Sequence, residues 1–153
     1  MNALELKVPP PVIALVLAAL MWLVSQYEPT LDFHPPWRTA VAITLFGTGI
    51  AIALAALLEF YRANTTVNPL NPDAATVMVT SGIYRVSRNP MYLGLLLALF
   101  GWAVWLSHLL TFALPPLFVL FINRFQIVPE ERTLSTKFGG QFNAYTRAVR
   151  RWV

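Results

Sequence analysis

The sequence predicts an all-α integral membrane bundle: four transmembrane helices, the last two a hairpin, followed by an amphipathic cytoplasmic helix. Three observations predict it. The chain of 153 residues is 57% hydrophobic and 12% charged, about half the charge of a soluble domain. Too few polar side chains remain to cover a water-facing surface. The uncharged stretches have lengths matched to a bilayer. The basic residues fall almost entirely on one side of those stretches.

The first span is read over residues 8–27, from an uncharged run of 20 residues, Val8 to Tyr27. No small-residue cleavage site precedes Glu28, so it reads as a retained span and not a signal peptide. The second span is placed at 39–60, from the uncharged run Thr39 to Leu58. The third uncharged run, Asn89 to Asn123, is 35 residues long. As one helix it would reach roughly 50 Å, too far for a hydrocarbon core of about 30 Å. It must turn back, and its most polar cluster, Ser107, His108 and Thr111, is where the turn is expected. The spans are therefore 90–106 and 109–128, with Pro115-Pro116 expected to kink the last. All of 1–153 reads as one membrane domain, without internal repeats.

Four spans put both termini on one side. That side receives Lys7, Arg62, Arg85, Arg88, Arg124, Arg132, Lys137, Arg147, Arg150 and Arg151, and the other receives only Arg38. The positive-inside rule makes the populated side cytoplasmic, which for a compact bacterial protein is the inner face of the inner membrane. The Glu28–Trp37 loop then lies outside. The Tyr61–Arg88 loop lies inside, with Asn68-Pro69 and Asn71-Pro72 as turn formers and Val77–Thr80 as a short extended piece. The net charge of +4 bears on topology and anionic membrane lipid before nucleic acid, which is not an expected partner. Nothing in the sequence sets an oligomeric state. Without cysteine, disulfides and thiolate metal sites are excluded, and two histidines make a histidine-rich metal centre unexpected.

The C-terminal helix is read over 129–152. Pro129 with Glu130 and Glu131 makes a helix start. Leu134, Phe138, Phe142, Tyr145, Val149 and Trp152 follow as an apolar stripe at helical spacing, expected to pack over a site. Gly139-Gly140 is a candidate break.

Two polar clusters come to the same membrane face through the hairpin. One enters the third span, from Ser81 to Gly94. The other, Pro129-Glu130-Glu131-Arg132, leaves the fourth. Cationic and amide donors facing two carboxylates suit a zwitterionic ligand. Pro90 stands at the first helical position, where free N–H groups favour an anion. Gly94 allows close approach of a flat ligand or a neighbouring helix. The plainer account is that Arg85 and Arg88 are anchors, that Tyr84 and Tyr92 are interfacial aromatics, and that the glutamates are first-turn residues. Spacing alone favours it, because each piece recurs in many membrane proteins. Glu59 has the same two readings: a functional carboxylate, or a structural partner for Arg62 three residues on.

The run Gly82-x-Tyr84-x-x-x-Arg88-Asn89-Pro90-Met91-Tyr92-Leu93-Gly94, then Glu130-Glu131, then Phe138-Gly139-x-x-Phe142-x-x-Tyr145, resembles the isoprenylcysteine carboxyl methyltransferase and phospholipid methyltransferase superfamily. The likeness extends from about Asn64 to the end. It implies an S-adenosylmethionine-dependent methyltransferase acting on the carboxylate or amine of a lipophilic acceptor, a prenylated or lipid substrate. The resemblance implies a cofactor pocket of Tyr84, Arg88, Asn89, Pro90, Tyr92, Gly94, Glu130 and Glu131, with Arg88, Glu59 and Arg150 as candidates for the reaction itself. Arg150 and Arg151 match the family's terminal basic residues less closely. Asn89 stands where the family has histidine. It can donate and accept hydrogen bonds but takes no proton, and is expected to hold the cofactor carboxylate through its amide. The alternatives are an NADPH-dependent reductase of the sterol-reductase type, which the compact Glu-Glu ending opposes, and a non-enzymatic small membrane or lipid-binding subunit.

Overall fold

A computed structural model describes residues 5–27, 35–65, 70, 72–74 and 76–153. Most of the Glu28–Trp37 loop and the centre of the Asn64–Pro72 loop lie outside the described residues. Within them the fold is all-helical. Its main helices are α1 (Pro10–Ser25), α2 (Arg38–Arg62), α3 (Pro90–Leu106), α4 (Leu114–Ile122), α5 (Val128–Phe138) and α6 (Gly140–Ala148). Val77–Thr80, read as an extended piece, forms no strand. The next four residues, Gly82–Arg85, make a single 3-10 turn.

Two helical runs are long and apolar enough to cross a membrane: α2, at 25 residues, and the continuous run Leu109–Phe138, at 30. The helices α1 and α3 are apolar but shorter, at 16 and 17 residues. Both faces of α1 and α2 that avoid the core carry large apolar side chains, among them Leu15, Val16, Leu23, Ile43, Phe46, Ile50 and Leu54, all exposed. Contiguous exposed apolar surface on this scale suits lipid and not water.

Small residues set the α2–α3 contact. A Cβ on Gly94 would stand 2.5 Å from the Gly49 carbonyl oxygen, and one on Gly101 would stand 2.9 Å from that of Ala42. The backbones therefore approach as closely as glycine permits, the packing that apolar helices use in lipid. On the other flank, Met21 and Ala14 of α1, Leu99 and Ala103 of α3, and Phe118 and Ile122 of α4 form the buried core. The turn after α3 falls where expected: Ser107 is left-handed, with φ +52°. His108 Nε2 lies 3.2 Å from the Tyr27 carbonyl, and Arg38 donates to Ser107 Oγ at 3.2 Å and stacks over Trp105.

The expected kink at Pro115-Pro116 does not occur. A 3-10 turn, Leu109–Ala113, leads into α4, so both prolines fall in the first turn of α4, where a missing N–H costs little. The expected helix start at Pro129 is also corrected. The helix runs straight through, by way of a π-helical turn at Asn123–Ile127. A proline inside a helix clashes with the carbonyl four residues back and leaves it without a donor. Here that carbonyl belongs to Phe125, and the N–H of Leu6 donates to it at 3.1 Å. Glu5, next to Leu6, forms ion pairs with Arg124 and Arg132 on either side. The N-terminal segment thus repairs the ladder that Pro129 interrupts.

The single helix expected over 129–152 is instead two. Gly139, at φ +50° and ψ −118°, takes a backbone conformation that an L side chain rarely adopts, and separates α5 from α6. Helix α6 ends at Ala148, and Val149 is extended. The last residues turn back toward the start of α3.

Candidate functional site

A cavity of about 420 Å³ lies among α1, α2, the start of α3, α5 and α6. Its apolar walls include Ala53, Leu54 and Leu57 of α2 with Met91 and Leu95 of α3, and its polar groups are Arg88, Asn89, Glu130 and Glu131. Five aromatic rings, Phe60, Tyr84, Tyr92, Phe142 and Tyr145, also line it. A mostly apolar concavity with a few convergent polar groups is the usual form of a small-molecule site.

The loop before α3 is held from below. Glu59, near the end of α2, accepts hydrogen bonds from Ser81 Oγ and from Arg62 at 2.8 Å. Gly82 sits over that carboxylate at φ +55°, and a Cβ there would come within 2.6 Å of Glu59 Cδ. Glu59 therefore fixes the loop and does not line the cavity. Tyr84 follows, buried edge-on against Phe60, with its carbonyl accepting from the Tyr145 hydroxyl at 2.7 Å. This bond ties α6 to the loop. Burial pushes the Tyr145 phenol up to about 12, against the opposing pull of the Arg88 charge, and burial raises Tyr84 as well. Both stay protonated at neutral pH and serve as donors or packing surfaces.

Arg88 is the centre of the polar end. Its Nη2 donates to Glu131 at 2.8 Å, and its backbone N–H donates to the Arg150 carbonyl at 3.0 Å. Arg151 grips the other side of Glu131, at 2.6 and 3.2 Å. The buried Nε of Arg88 has no hydrogen-bond partner among the described residues. Asn89 lines the cavity, but its amide N–H donates to the Arg151 carbonyl at 2.9 Å, and Ser87 Oγ reaches the same carbonyl. The amide expected to meet a cofactor carboxylate thus holds the C-terminal strand. Glu130 has different company: the Tyr92 hydroxyl donates to it at 2.6 Å and the Gln126 amide at 2.8 Å.

Of the residues singled out from the sequence, Tyr84, Arg88, Asn89, Tyr92, Glu130 and Glu131 converge on the cavity. Pro90 is buried at the start of α3, and Gly94 is spent on contact with α2. Arg150 is exposed and contributes only its carbonyl; Arg151 makes the ion pair instead. Sequence reasoning missed Gln126, whose one signal was a polar residue four positions before Glu130 in an apolar run. It also missed Ser87 and the lining ring of Phe60.

Residues 37–141 match the phospholipid methyltransferase family. An uncharacterised protein of Haemophilus influenzae is 46% identical over 63 residues, 41% of this chain and all of the relative. No solved structure matches the chain. Apolar helices of spanning length and a cavity with a polar end define a membrane methyltransferase. The chain belongs to the phospholipid methyltransferase family, part of the isoprenylcysteine and phospholipid methyltransferase superfamily.

Proposed function

We propose that this protein is an S-adenosylmethionine-dependent methyltransferase acting at the cytoplasmic membrane face, on the carboxylate or amine of a prenylated or lipid substrate. The observation that carries the reading is the two-ended cavity: charged at Arg88, Glu130 and Glu131, and apolar where Ala53, Leu54, Leu57 and Leu95 line it. Such a space suits a polar cofactor at one end and a lipophilic acceptor at the other.

The residues present fit the cofactor. Arg88 and Arg151 share one carboxylate, Glu131, which leaves one positive charge over, and Arg88 has an unpartnered buried Nε. Both favour a ligand carboxylate. Glu130 supplies an anion for a positive group. Bound there, S-adenosylmethionine would supply an electrophilic methyl group. The chain's own residues bind, align and exclude water, which is most of what an in-line displacement requires. Tyr84, Phe142 and Tyr145 cover the cavity from the loop and α6. An acceptor carboxylate needs no base, consistent with an asparagine at position 89.

Family membership supports a methyltransferase over an NADPH-dependent reductase or a non-enzymatic subunit. We further propose four spans, with α1 and α3 as the two short ones and both termini cytoplasmic, on the strength of the basic-residue asymmetry. The test is to incubate membranes containing the protein with methyl-labelled S-adenosylmethionine and extract them with organic solvent. Label is expected in the lipid phase, and Arg88→Gln is expected to reduce it at least tenfold. No label with the unaltered protein, alongside oxidation of NADPH, would favour the reductase.

A further inference from the structure

The charged groups at the cavity are unevenly paired. Arg88 and Arg151 both donate to Glu131. Among the described residues no Lys or Arg forms an ion pair with Glu130, whose donors are the Tyr92 hydroxyl and the Gln126 amide, both uncharged. Gln126 is itself buried, and α5 and the π-helical turn hold it one helical turn before Glu130. An anion in a largely apolar cavity, with neutral donors only, carries a desolvation cost that a positive ligand group would offset. The rings of Tyr84, Tyr92, Phe142 and Tyr145 line the same space, and aromatic faces also attract cations.

We propose that Glu130, with its carboxylate held by Tyr92 and Gln126, is the subsite for the sulfonium of S-adenosylmethionine, and that it makes the site bind the cofactor more tightly than its demethylated product. The proposal rests on the methyltransferase reading above. In the transfer, the methyl carbon–sulfur bond breaks and its electron pair stays on sulfur, while a lone pair of the acceptor forms the new bond to carbon. The sulfur changes from a cation to a neutral thioether. Glu130 thereby loses its counter-charge when the reaction is complete, which favours exchange of product for fresh cofactor. The ammonium and carboxylate of the ligand are the same before and after, so they add nothing to this selectivity.

The experiment is calorimetric titration of the purified full-length protein in detergent with S-adenosylmethionine and with S-adenosylhomocysteine. The unaltered protein is expected to prefer the first by about 10- to 100-fold, the range of one charge-assisted contact. Glu130→Gln is expected to bring the affinity for the sulfonium ligand down to that for the thioether, leaving the latter little changed. Equal weakening of both ligands would assign Glu130 to the ammonium they share and overturn the proposal. Unchanged affinities would assign it to the acceptor and overturn it too. Tyr92→Phe retains the carboxylate and is expected to keep the preference, so that variant tests the idea if Glu130→Gln fails to fold; a preference near unity there contradicts it. Protein that binds neither ligand would sink the methyltransferase reading itself, a result distinct from binding both equally.

Discussion

Arg88 organises the polar end of the cavity through its backbone as well as its side chain. The guanidinium holds Glu131 and the N–H holds the C-terminal strand. Glu131→Gln would leave Arg88 and Arg151 facing each other with no anion between them. The pair with Arg88 is mostly buried and that with Arg151 partly exposed, so the expected loss lies between those of exposed and buried pairs, about 1–3 kcal/mol. Thermal unfolding in detergent checks it, and an unchanged midpoint would mean that the pair contributes nothing. Asn89 gives a sharper prediction. Asn89→Asp turns a donor into an acceptor opposite the Arg151 carbonyl, so the last residues should come loose and be trimmed faster by a carboxypeptidase. Asn89→His retains a donor and should protect them better than the aspartate does. Equal trimming of the two variants would count against the contact. The motif residues of this site were legible in the sequence because they cluster beside span ends. The division of labour between Glu130 and Glu131 was not, since it depends on Gln126 and on a strand that returns from the far end of the chain.

At the scale of elements, α2 and α3 are held together by closeness, and closeness has a direct test. Gly49→Ala would place a methyl group against the Gly94 carbonyl oxygen, a backbone atom that cannot yield without moving the helix. A loss of about 1–3 kcal/mol is expected, the usual cost of overpacking. Gly47→Ala, two residues earlier on the same helix, meets nothing within 4 Å, and should be neutral or slightly stabilising. Equal effects at both positions would show that the helices do not touch there. Hydrophobic run lengths gave α3 its bounds and α2 nearly so. They could not show the π-helical turn, because Pro129 reads locally as a helix start. Only the donor from Leu6, remote in sequence, lets the helix continue through it.

For the whole molecule, the proposed topology places the Ser107 turn outside and α5 inside. The chain has no cysteine, so a single cysteine at Ser107 or at Ser135 reports its side without background. An impermeant thiol reagent applied to intact cells is expected to label position 107 and spare 135, and the reverse would invert the topology. The asymmetry of the basic residues made this orientation readable from sequence. The cavity was not readable, because α1, α2, α3, α5 and α6 each contribute a fragment that is unremarkable alone. The account stands or falls on whether that cavity holds the cofactor. The most direct measurement is ultraviolet cross-linking of methyl-labelled S-adenosylmethionine to the purified protein, followed by peptide mapping. Label is expected on the peptides carrying Tyr84–Tyr92, Glu130–Leu134 or Phe142–Tyr145, and competed away by unlabelled cofactor. Competable label confined to peptides from the Ser107 end of the bundle would contradict the account.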